Sequence, residues 1–548
     1  MDSIPYWLVP NLKLAIQRLS RDARSNIATL TDPEQSWQRN VFFALVVIFL
    51  IHIISTSIYR LYFSPLALAK IPGPKLAALT FLYESYFEIV KGGQYYNHVA
   101  KLHEQYGPLI RVSPHEVHWN DPDFIDQAYP TTLRKTDKPV WVAQRTGTPY
   151  SIVSTSSHDL HRRRRNALNS FFSVASVRRL EPILQTYMGK MMTRLEKSGK
   201  AEEVVQFHRV FKACASDIIT LYAFGDNMGY MDSPDYGNAS QESTEWFFFL
   251  THIFGLVPWL VQYAQNAPVW LVRLCFPALT ALRERQDWWI DKVREIRASN
   301  NPERLKSTVF EGILNSSLPP EEKTDIRLAS EAQLIVFAGE GTTAHALMCA
   351  LFHLLANPEE LAKLKTELSE AIPDPTNIAI AQVDNLPYLN AIISESVRLH
   401  PGVMNRQVRM NPDVPIVYDH PADGKQYVIP PNTIYSMSPL ETHMNPKAFG
   451  ADAYLFRPQR WIDQPKLAKY FLGFSRGTRG CVGMTLARRE MAMVLATLFT
   501  KYDLYRGQPG PTLELYETDR SRDIDVNADY IIPIPTKGSK GLRVRVRD

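Results

Sequence analysis

A single cysteine near the C-terminus lies where its thiolate could bind a metal or a flat cofactor. Gly477 and Gly483 flank Cys481, Arg479 lies two residues before it, and an apolar helical run over 484–500 follows. The positive end of a helix dipole and a nearby arginine both favour the thiolate form. Because glycine carries no side chain, something wide and flat can approach the sulfur. These features are those expected of a cysteine that is the axial ligand of a haem iron.

Two other chemistries fit parts of the same window. Zinc is disfavoured because no further Cys or His lies within a few residues of Cys481. The spacing of Gly473, Ser475 and Gly477 matches the G-x-S-x-G elbow of serine hydrolases. That elbow follows a buried strand, whereas 466–470 is a poor strand, and the chain has no H-G-G-G-like oxyanion segment. A membrane-anchored hydrolase that uses Ser475 is therefore kept as an alternative.

The complete pattern around the cysteine is F-x-x-G-x-R-x-C-x-G, formed by Phe474, Gly477, Arg479, Cys481 and Gly483. It resembles the cysteine-loop signature of the cytochrome P-450 haem-thiolate monooxygenases. The resemblance extends from about residue 61 to the C-terminus, with five motifs in the family's order. It implies a mainly α fold with a small β region, preceded by one N-terminal transmembrane helix, and haem b bound through Cys481. The other cofactor-binding residues implied in the loop are Phe474, Arg479 and Gly483.

Two separated motifs resemble the elements that hold this loop in the family. Glu395 and Arg398 lie three residues apart on an amphipathic helix, so both charges share one face. Arg460 follows in an F-R-P-Q-R-W segment, where Gln459 replaces the family's usual glutamate. The resemblance implies a buried triad of Glu395, Arg398 and Arg460. Such a triad must be complete, because removal of one member leaves the others buried and unpaired.

An apolar helical segment over 334–355 carries the sequence Ala-Gly-Glu-Gly-Thr-Thr. Two glycines inside a helix cost about 1 kcal/mol each relative to alanine, so a function must offset that cost. The stretch resembles the family's oxygen-activating motif, in which Thr342 holds the catalytic threonine position and Glu340 supplies the only carboxylate. Gly341 occupies the family's acid position, and one residue rotates a helical side chain by about 100°. Glu340 therefore cannot simply replace the missing acid, and a haem-binding protein without turnover is a second alternative.

A basic helical stretch near residue 160 resembles the family's propionate-binding helix. His161 and Arg165 lie four residues apart and can both donate to a haem propionate. Arg479 fits a further propionate contact, and either Arg406 or Arg409 adds another. The remaining arginines, Arg476, Arg488 and Arg489 among them, are expected to form a basic face for an acidic redox partner.

The chain contains no flavin or nicotinamide domain. The resemblance therefore implies that NADPH acts indirectly, through NADPH-cytochrome P-450 reductase, with cytochrome b5 as a further donor. The motif around Arg134 and the H-x-x-H-R-R-R-R form of the basic helix resemble fungal secondary-metabolite enzymes. The expected substrate is accordingly an apolar small molecule, a terpenoid or polyketide intermediate.

Residues 41–59 carry no formal charge and are long enough as a helix to cross a bilayer. Because this run begins far from Met1, it is interpreted as a retained anchor rather than a cleaved signal peptide. The predicted organisation is an N-terminal segment (1–40), a transmembrane anchor (41–59), a hinge (60–75) and a haem-thiolate monooxygenase domain (76–548). Resemblance to microsomal members implies a single-pass protein of the endoplasmic reticulum membrane with its catalytic domain in the cytosol.

A second uncharged stretch, 246–272, is interrupted by Gly255, Pro258 and Pro268 and is not expected to span. It resembles the family's F–G region, which dips into the bilayer over the substrate entrance, although its aromatic side chains fit an ordinary core equally well. A net charge of +5 gives no case for nucleic acid. The four scattered cysteines indicate a reducing compartment, and the three besides Cys481 are interpreted as buried apolar residues.

Overall fold

The computed structural model describes residues 33–131, 134–299, 308–421 and 424–548 of the chain. Most of the predicted N-terminal segment, 1–32, therefore lies outside the described residues. The chain divides into two compact units, and the second runs from Ala69 to Asp548. The division falls inside the segment 60–75 that the sequence predicts to be a hinge.

The described part of the first unit, from residue 33 onward, is an apolar helix. Helix α1 (Pro33–Ile58) continues through a π-helical turn, Tyr59–Phe63, and a short helix, Pro65–Leu68. Within the helical stretch Trp37–Leu68, the most apolar 18-residue window has a mean hydropathy of 2.6 and buries no side chains. It is long and apolar enough to cross a membrane, which is consistent with an anchor.

The Pro-Gly-Pro segment at 72–74 is held in place by backbone contacts with Arg111. The carbonyl oxygen of Pro72 accepts a hydrogen bond from the amide of Arg111 at 2.7 Å. A Cβ atom added to Gly73 would lie 2.5 Å from the carbonyl oxygen of Arg111, so only glycine permits this close approach. The C-terminal part of the predicted hinge is thus fixed by backbone contacts.

Eleven helices of eight or more residues lie in the described part of the second unit. They are α2 (Tyr95–Tyr106), α3 (His158–Asn169), α4 (Glu181–Lys200), α5 (Phe207–Phe224), α6 (Asn238–Phe249), α7 (Trp259–Asn266), α8 (Thr280–Ala298), α9 (Asp325–Ala356), α10 (Pro358–Ala371), α11 (Pro387–Leu399) and α12 (Met484–Lys501). Shorter α-helices are Lys75–Leu79, Leu82–Ser85, Ile125–Ala128, Val140–Gln144, Val174–Arg178, Thr251–Leu256, Val269–Cys275, Val309–Asn315, Ile380–Val383, Pro439–Met444, Pro446–Phe449 and Arg460–Asp463. Single 3₁₀ or π turns are Tyr86–Val90, Pro122–Phe124, Pro277–Leu279, Pro320–Lys323, Pro465–Tyr470, Gly477–Arg479 and Arg520–Ile524.

Helix α9 is the centre of the second unit. It packs against α5, α8, α11 and α12. Most of its side chains are buried, which explains why it is apolar on nearly every face. Its length and composition would also allow it to cross a membrane, but the helix is enclosed by protein.

Twelve short strands form small sheets at the edges of the described helices. They are β1 (Leu109–Arg111), β2 (Glu116–Trp119), β3 (Val204–Gln206), β4 (Arg409–Met410), β5 (Ile416–Asp419), β6 (Gln426–Ile429), β7 (Ile434–Ser436), β8 (Asp503–Leu504), β9 (Thr512–Leu515), β10 (Ala528–Tyr530), β11 (Ile532–Ile534) and β12 (Arg543–Arg547). One four-stranded sheet has the order β1-β2-β7-β4 and a second has the order β3-β12-β9-β8, while β5–β6 and β10–β11 are hairpins. The predicted mainly α fold with a small β region is confirmed.

Candidate active site

The cysteine loop places backbone donors around the sulfur of Cys481. The 3₁₀ turn Gly477–Arg479 precedes the cysteine. The backbone amide of Cys481 donates to the carbonyl of Phe474 at 2.8 Å. Desolvation by the surrounding protein atoms raises the pKa of the Cys481 thiol, while hydrogen bonds from the amides of Gly483 and Met484 and the charge of Arg165 oppose that rise. These donors suit a thiolate, and coordination to a metal removes the thiol proton outright.

The glycines of the loop allow close backbone approach and leave the sulfur uncovered. Gly477 has a φ of +72°, and a Cβ atom there would lie 2.8 Å from the carbonyl oxygen of Pro130. A Cβ atom on Gly483 would come no closer than 4.0 Å to the Cys481 sulfur, and Cys481 itself remains accessible. A broad planar ligand therefore has access to this sulfur.

A cluster of cationic side chains lies beside the loop. Burial, followed by the charges of Arg479, Lys138, Arg165 and Arg409, lowers the pKa of His161 to about 2. Burial and Arg409 also lower the pKa of Arg479 to about 9, against a small opposing effect of Asp137. So much buried positive charge requires an anionic partner. The two propionates of a haem would supply it.

Within this cluster, each cation makes identifiable contacts. Arg165 donates to the carbonyl of Gly480 at 2.5 Å. Arg479 donates to the carbonyls of Thr155 and Ser156 at 2.5 and 2.6 Å, yet its buried Nε has no hydrogen-bond partner. That unpartnered donor and the uncovered sulfur are what a bound haem would satisfy.

The structure distinguishes the two arginines that the sequence left open. Arg406 is ion-paired with Glu84 at 2.8 Å and with Glu116 at 2.9 Å. Arg409 contacts no carboxylate in the described chain, and its Nη2 donates to the hydroxyl of Ser475 at 3.1 Å. Arg409 is therefore the arginine available to an anionic ligand. Lys138, which the sequence analysis did not single out, belongs to the same cluster.

Helix α9 presents Thr342 on its one accessible central face. The hydroxyl of Thr342 donates to the carbonyl of Ala338 at 2.7 Å, and Ala338 is exposed in an otherwise buried stretch. A Cβ atom on Gly341 would meet nothing within 4 Å, whereas one on Gly339 would lie 2.8 Å from Ile219. The two glycines therefore differ: Gly339 permits tight packing with α5, and Gly341 leaves open space beside Thr342.

Glu340 is not brought to the side of Thr342. Its carboxylate pairs with Arg285 of α8, with contacts of 2.5 and 3.2 Å, and both side chains are buried. Burial acts to raise the Glu340 pKa, but the Arg285 charge and hydrogen bonds outweigh it and hold that pKa below its usual value. Arg285 thus engages the only carboxylate of the motif that resembles the oxygen-activating one.

The structure brings Glu395, Arg398 and Arg460 into direct contact. Both oxygens of Glu395 accept from Arg398 at 2.8 Å, and Arg460 donates to the same carboxylate at 3.0 Å. The indole of Trp461 adds a donor at 2.9 Å and the amide of Arg457 another at 2.9 Å. The two arginines also donate to backbone carbonyls of the segment 443–455. This buried network fixes the segment that leads into the cysteine loop.

Ser475 lacks the partners of a hydrolytic nucleophile. It has a φ of +57°, as a strained elbow would, but the preceding segment is the 3₁₀ turn Pro465–Tyr470 rather than a strand. Its hydroxyl donates to Gln407 at 2.8 Å and accepts from Arg409. Neither residue is a general base, so the hydrolase alternative is not favoured.

The expected basic face is smaller than the sequence suggests. Arg489 is buried and paired with Asp384 at 2.7 Å, and Arg488 lies over the ring of Phe474, 5.2 Å from its centroid. On helix α3, Arg162 and Arg163 are exposed. Cys275, expected to be buried, is also exposed.

The segment 246–272 is divided among four helices; Pro258 and Pro268 precede two of them, whereas Gly255 lies inside a third. They are the end of α6, Thr251–Leu256, α7 and Val269–Cys275. The large side chains exposed on this segment are Trp246, Ile253, Leu256, Trp259, Tyr263 and Trp270. In contrast, Phe247 and Phe254 are buried, and Phe247 packs against Phe337 of α9. The aromatic side chains of this stretch therefore divide into an exposed set and a set packed in the core.

Comparison with known proteins identifies the family. The sequence profile of the cytochrome P450 family matches residues 72–516. The chain is 37% identical over 511 residues to tryptophan 6-hydroxylase of Fusarium equiseti, an alignment that covers 92% of this chain and 96% of that protein. It is 37% identical over 506 residues to a cytochrome P450 monooxygenase of Talaromyces wortmannii (89% and 95% covered). It is 33% identical over 514 residues to N-acetyltryptophan 6-hydroxylase of Emericella nidulans (92% and 96% covered).

The chain therefore belongs to the cytochrome P450 family. It is a haem-thiolate monooxygenase that uses NADPH-derived electrons delivered by a reductase. The residues present fit the cofactor: an accessible thiol surrounded by amide donors, and a buried cationic cluster with an unpartnered guanidinium nitrogen.

Proposed function

We propose that this monooxygenase oxidises an apolar small molecule of fungal secondary metabolism, a terpenoid or polyketide intermediate. The observation that carries the substrate class is the exposed aromatic surface of 246–272, which includes Trp259 and Tyr263, in a chain with a membrane-length apolar helix. An aromatic surface of this kind suits the interface of a bilayer, from which an apolar substrate would enter. The curated relatives are fungal monooxygenases, which supports secondary metabolism.

An aromatic ring is a second candidate for the oxidised group. Two of the relatives are named as 6-hydroxylases of tryptophan and of N-acetyltryptophan. A substrate panel should therefore contain indole compounds beside terpenoids and polyketides.

The residues around the Cys481 sulfur have different roles in this reaction. Cys481 ligates the haem iron, and the bound haem supplies dioxygen activation and oxygen transfer. Arg165, Arg409 and Arg479 hold its propionates through charge-assisted hydrogen bonds. His161 lies among these cations as a neutral ring that can donate one further hydrogen bond.

Proton delivery to the haem site depends on Thr342 and water. Its hydroxyl donates to the carbonyl of Ala338, and its oxygen can still accept a hydrogen bond from a water molecule. Because Gly341 has no side chain and Glu340 is engaged by Arg285, no carboxylate of this motif reaches the hydroxyl. Thr342 is accordingly the residue that positions the water from which a proton is delivered.

We infer that the apolar helix anchors the protein in the endoplasmic reticulum membrane, with its second unit in the cytosol. There the exposed Arg162 and Arg163 face an acidic surface of NADPH-cytochrome P-450 reductase, with cytochrome b5 as a second donor at the same face. No part of this surface is assigned to nucleic acid.

The assignment of Cys481 as the ligand of the haem iron is tested by the carbon monoxide difference spectrum of the dithionite-reduced membrane fraction, for wild type and Cys481→Ala. We expect the red-shifted Soret band of a thiolate-ligated haem in wild type and its absence in the variant. Folded wild type without that band would contradict the assignment.

Turnover is tested with reductase, NADPH and ¹⁸O-labelled dioxygen across the substrate panel. Incorporation of one labelled oxygen into a product supports the function and identifies the substrate class. Normal carbon monoxide binding without NADPH consumption for any compound would instead indicate a haem protein without turnover.

A further inference from the structure

A cluster of potential metal ligands lies outside the cysteine loop. His103 is at the C-terminal end of α2, His118 is on β2, and Glu441 is in the helix Pro439–Met444. One ligand atom from each lies within 4.8 Å of the others, and no other such group of three is found in the described residues. His103 and His118 are buried, His118 completely, and the Glu441 side chain is 9% exposed. Three chain segments distant in sequence thus bring nitrogen and oxygen ligands to one point.

Hydrogen bonds orient both imidazole rings toward that point. Nδ1 of His103 lies 2.7 Å from the carbonyl oxygen of Gly107, which can only accept, so this nitrogen carries the proton. The lone pair of His103 Nε2 then faces His118 Nδ1 at 2.7 Å. On its other side, His118 Nε2 lies 2.9 Å from the hydroxyl of Ser438, which can donate or accept. In the tautomer of His118 with its proton on Nε2, which donates to the rotated Ser438 hydroxyl, both facing nitrogens are free as ligands.

The carboxylate of Glu441 has no partner of its own. Both oxygens are buried without a hydrogen bond, and Oε2 lies 3.8 Å from His118 Nδ1. A buried carboxylate in this condition is costly, and burial raises its pKa to about 8. A bound cation would satisfy these oxygens. This is an observation independent of the histidine geometry.

We propose that His103, His118 and Glu441 bind one zinc ion, with water in the fourth position. Two histidines and one glutamate are an established zinc donor set, with bonds of about 2.0–2.2 Å. The facing nitrogens must separate from 2.7 Å to roughly 3.3 Å in tetrahedral geometry, which small ring movements allow. The ion clips α2 and β2 to the helix Pro439–Met444, more than 300 residues away, and stabilises the fold by closing that loop.

The test is the zinc content of the untagged full-length holoenzyme. Protein from zinc-supplemented cells is dialysed against metal-free buffer and analysed by inductively coupled plasma mass spectrometry beside its haem content. The variants are His103→Asn, which keeps a donor to Gly107 but removes Nε2, and Glu441→Gln. Glu490→Gln is the matched control, because Glu490 is also buried with an unpartnered oxygen and a pKa raised to about 8.

We expect about one zinc per chain in wild type and Glu490→Gln, and at least a tenfold loss in the two cluster variants. The carbon monoxide spectrum reports separately that each variant retains its haem. Folded wild type with less than about a tenth of a zinc per chain would overturn the proposal, even if neither cluster variant folds. Unchanged zinc in Glu441→Gln or His103→Asn would overturn the assignment of the ligands.

Discussion

At the scale of single residues, the two glycines of α9 serve different purposes. Gly339 lies against Ile219, and Gly341 faces open space beside Thr342. Gly341→Ala is expected to raise the free energy of unfolding by about 1 kcal/mol, because alanine is the better helix former. Gly339→Ala is expected to lower it by about 1–3 kcal/mol through overpacking. Urea unfolding followed by circular dichroism checks both values, and equal effects of the two substitutions would contradict this distinction.

Arg409 is predicted to hold the cofactor. Arg409→Met removes a guanidinium that has no carboxylate partner in the described chain, so its loss weakens an anionic ligand directly. A hydrogen bond to a charged group contributes about 1.5–3 kcal/mol, so haem should dissociate roughly 10- to 100-fold faster. Transfer of haem to apomyoglobin measures that rate.

Arg476→Met is the matched control for this prediction. Arg476 lies in the same loop but pairs with Asp126 at 3.2 Å. Its substitution should leave the dissociation rate within about twofold of wild type. A rate for Arg409→Met equal to that of the control would exclude Arg409 from the propionate site.

The choice between Arg406 and Arg409 marks a limit of the sequence at this scale. Both arginines lie in one short segment, and nothing in their immediate neighbours separates them. The distinction comes from Glu84 and Glu116, which lie about 290 to 320 residues earlier in the chain and occupy Arg406. The same holds for Glu340, whose partner Arg285 is on another helix.

At the scale of elements, the buried triad is predicted to stabilise the segment before the cysteine loop. Arg460→Met leaves Glu395 buried with one charged partner fewer. Loss of one member of a buried ion pair costs about 3–5 kcal/mol. The variant should therefore unfold at lower urea concentration and show little of the thiolate-type carbon monoxide spectrum.

Arg457→Met provides the control three residues earlier. The Arg457 side chain is exposed and pairs with Asp452 at 2.8 Å, and its contact with Glu395 uses only the backbone amide. An exposed ion pair contributes at most about 1 kcal/mol. If Arg457→Met proved as damaging as Arg460→Met, the triad would not be the stabilising feature.

Several elements were predictable because local patterns determine them. Helix α11 ends shortly before Pro401, and α12 begins where the glycines of the cysteine loop end. The sequence predicts a small β region but not the bounds of its strands. The strands are two to five residues long, too short to show a local alternation, and some pair with partners distant in sequence, as β2 does with β7.

At the scale of the whole molecule, buried histidines make stability depend on pH. Apart from His161 beside the cysteine loop and the two histidines of the proposed zinc site, burial lowers the pKa of seven histidines: His98, His208, His252, His345, His353, His400 and His443. In the unfolded chain these rings titrate near a pKa of about 6.5. Below that pH the unfolded state binds protons that the folded state does not. The free energy of unfolding therefore decreases as the pH falls.

Buried carboxyl groups act in the opposite direction. Burial raises the pKa of Glu88, Asp217, Glu490 and Asp529, so the folded state keeps protons that the unfolded chain releases above a pKa of about 4. Their contribution to the free energy of unfolding therefore decreases as the pH rises. The histidines outnumber them, and each histidine contributes up to about 1.4 kcal/mol per pH unit between its two pKa values.

We therefore expect the urea midpoint to rise slightly from pH 8 to 7, as the buried carboxyl groups take up protons in the folded state, and to fall steeply from pH 6.5 to 5 as the histidines of the unfolded chain become protonated. Unfolding is followed by circular dichroism and by the haem absorbance at each pH, with ionic strength held constant. Because the folded pKa values of His353 and His443 are both about 3, their contribution should still be decreasing at pH 5. Equal midpoints at pH 7 and pH 5 would mean that the histidines are protonated in the folded state, and hence that their burial is not maintained in solution.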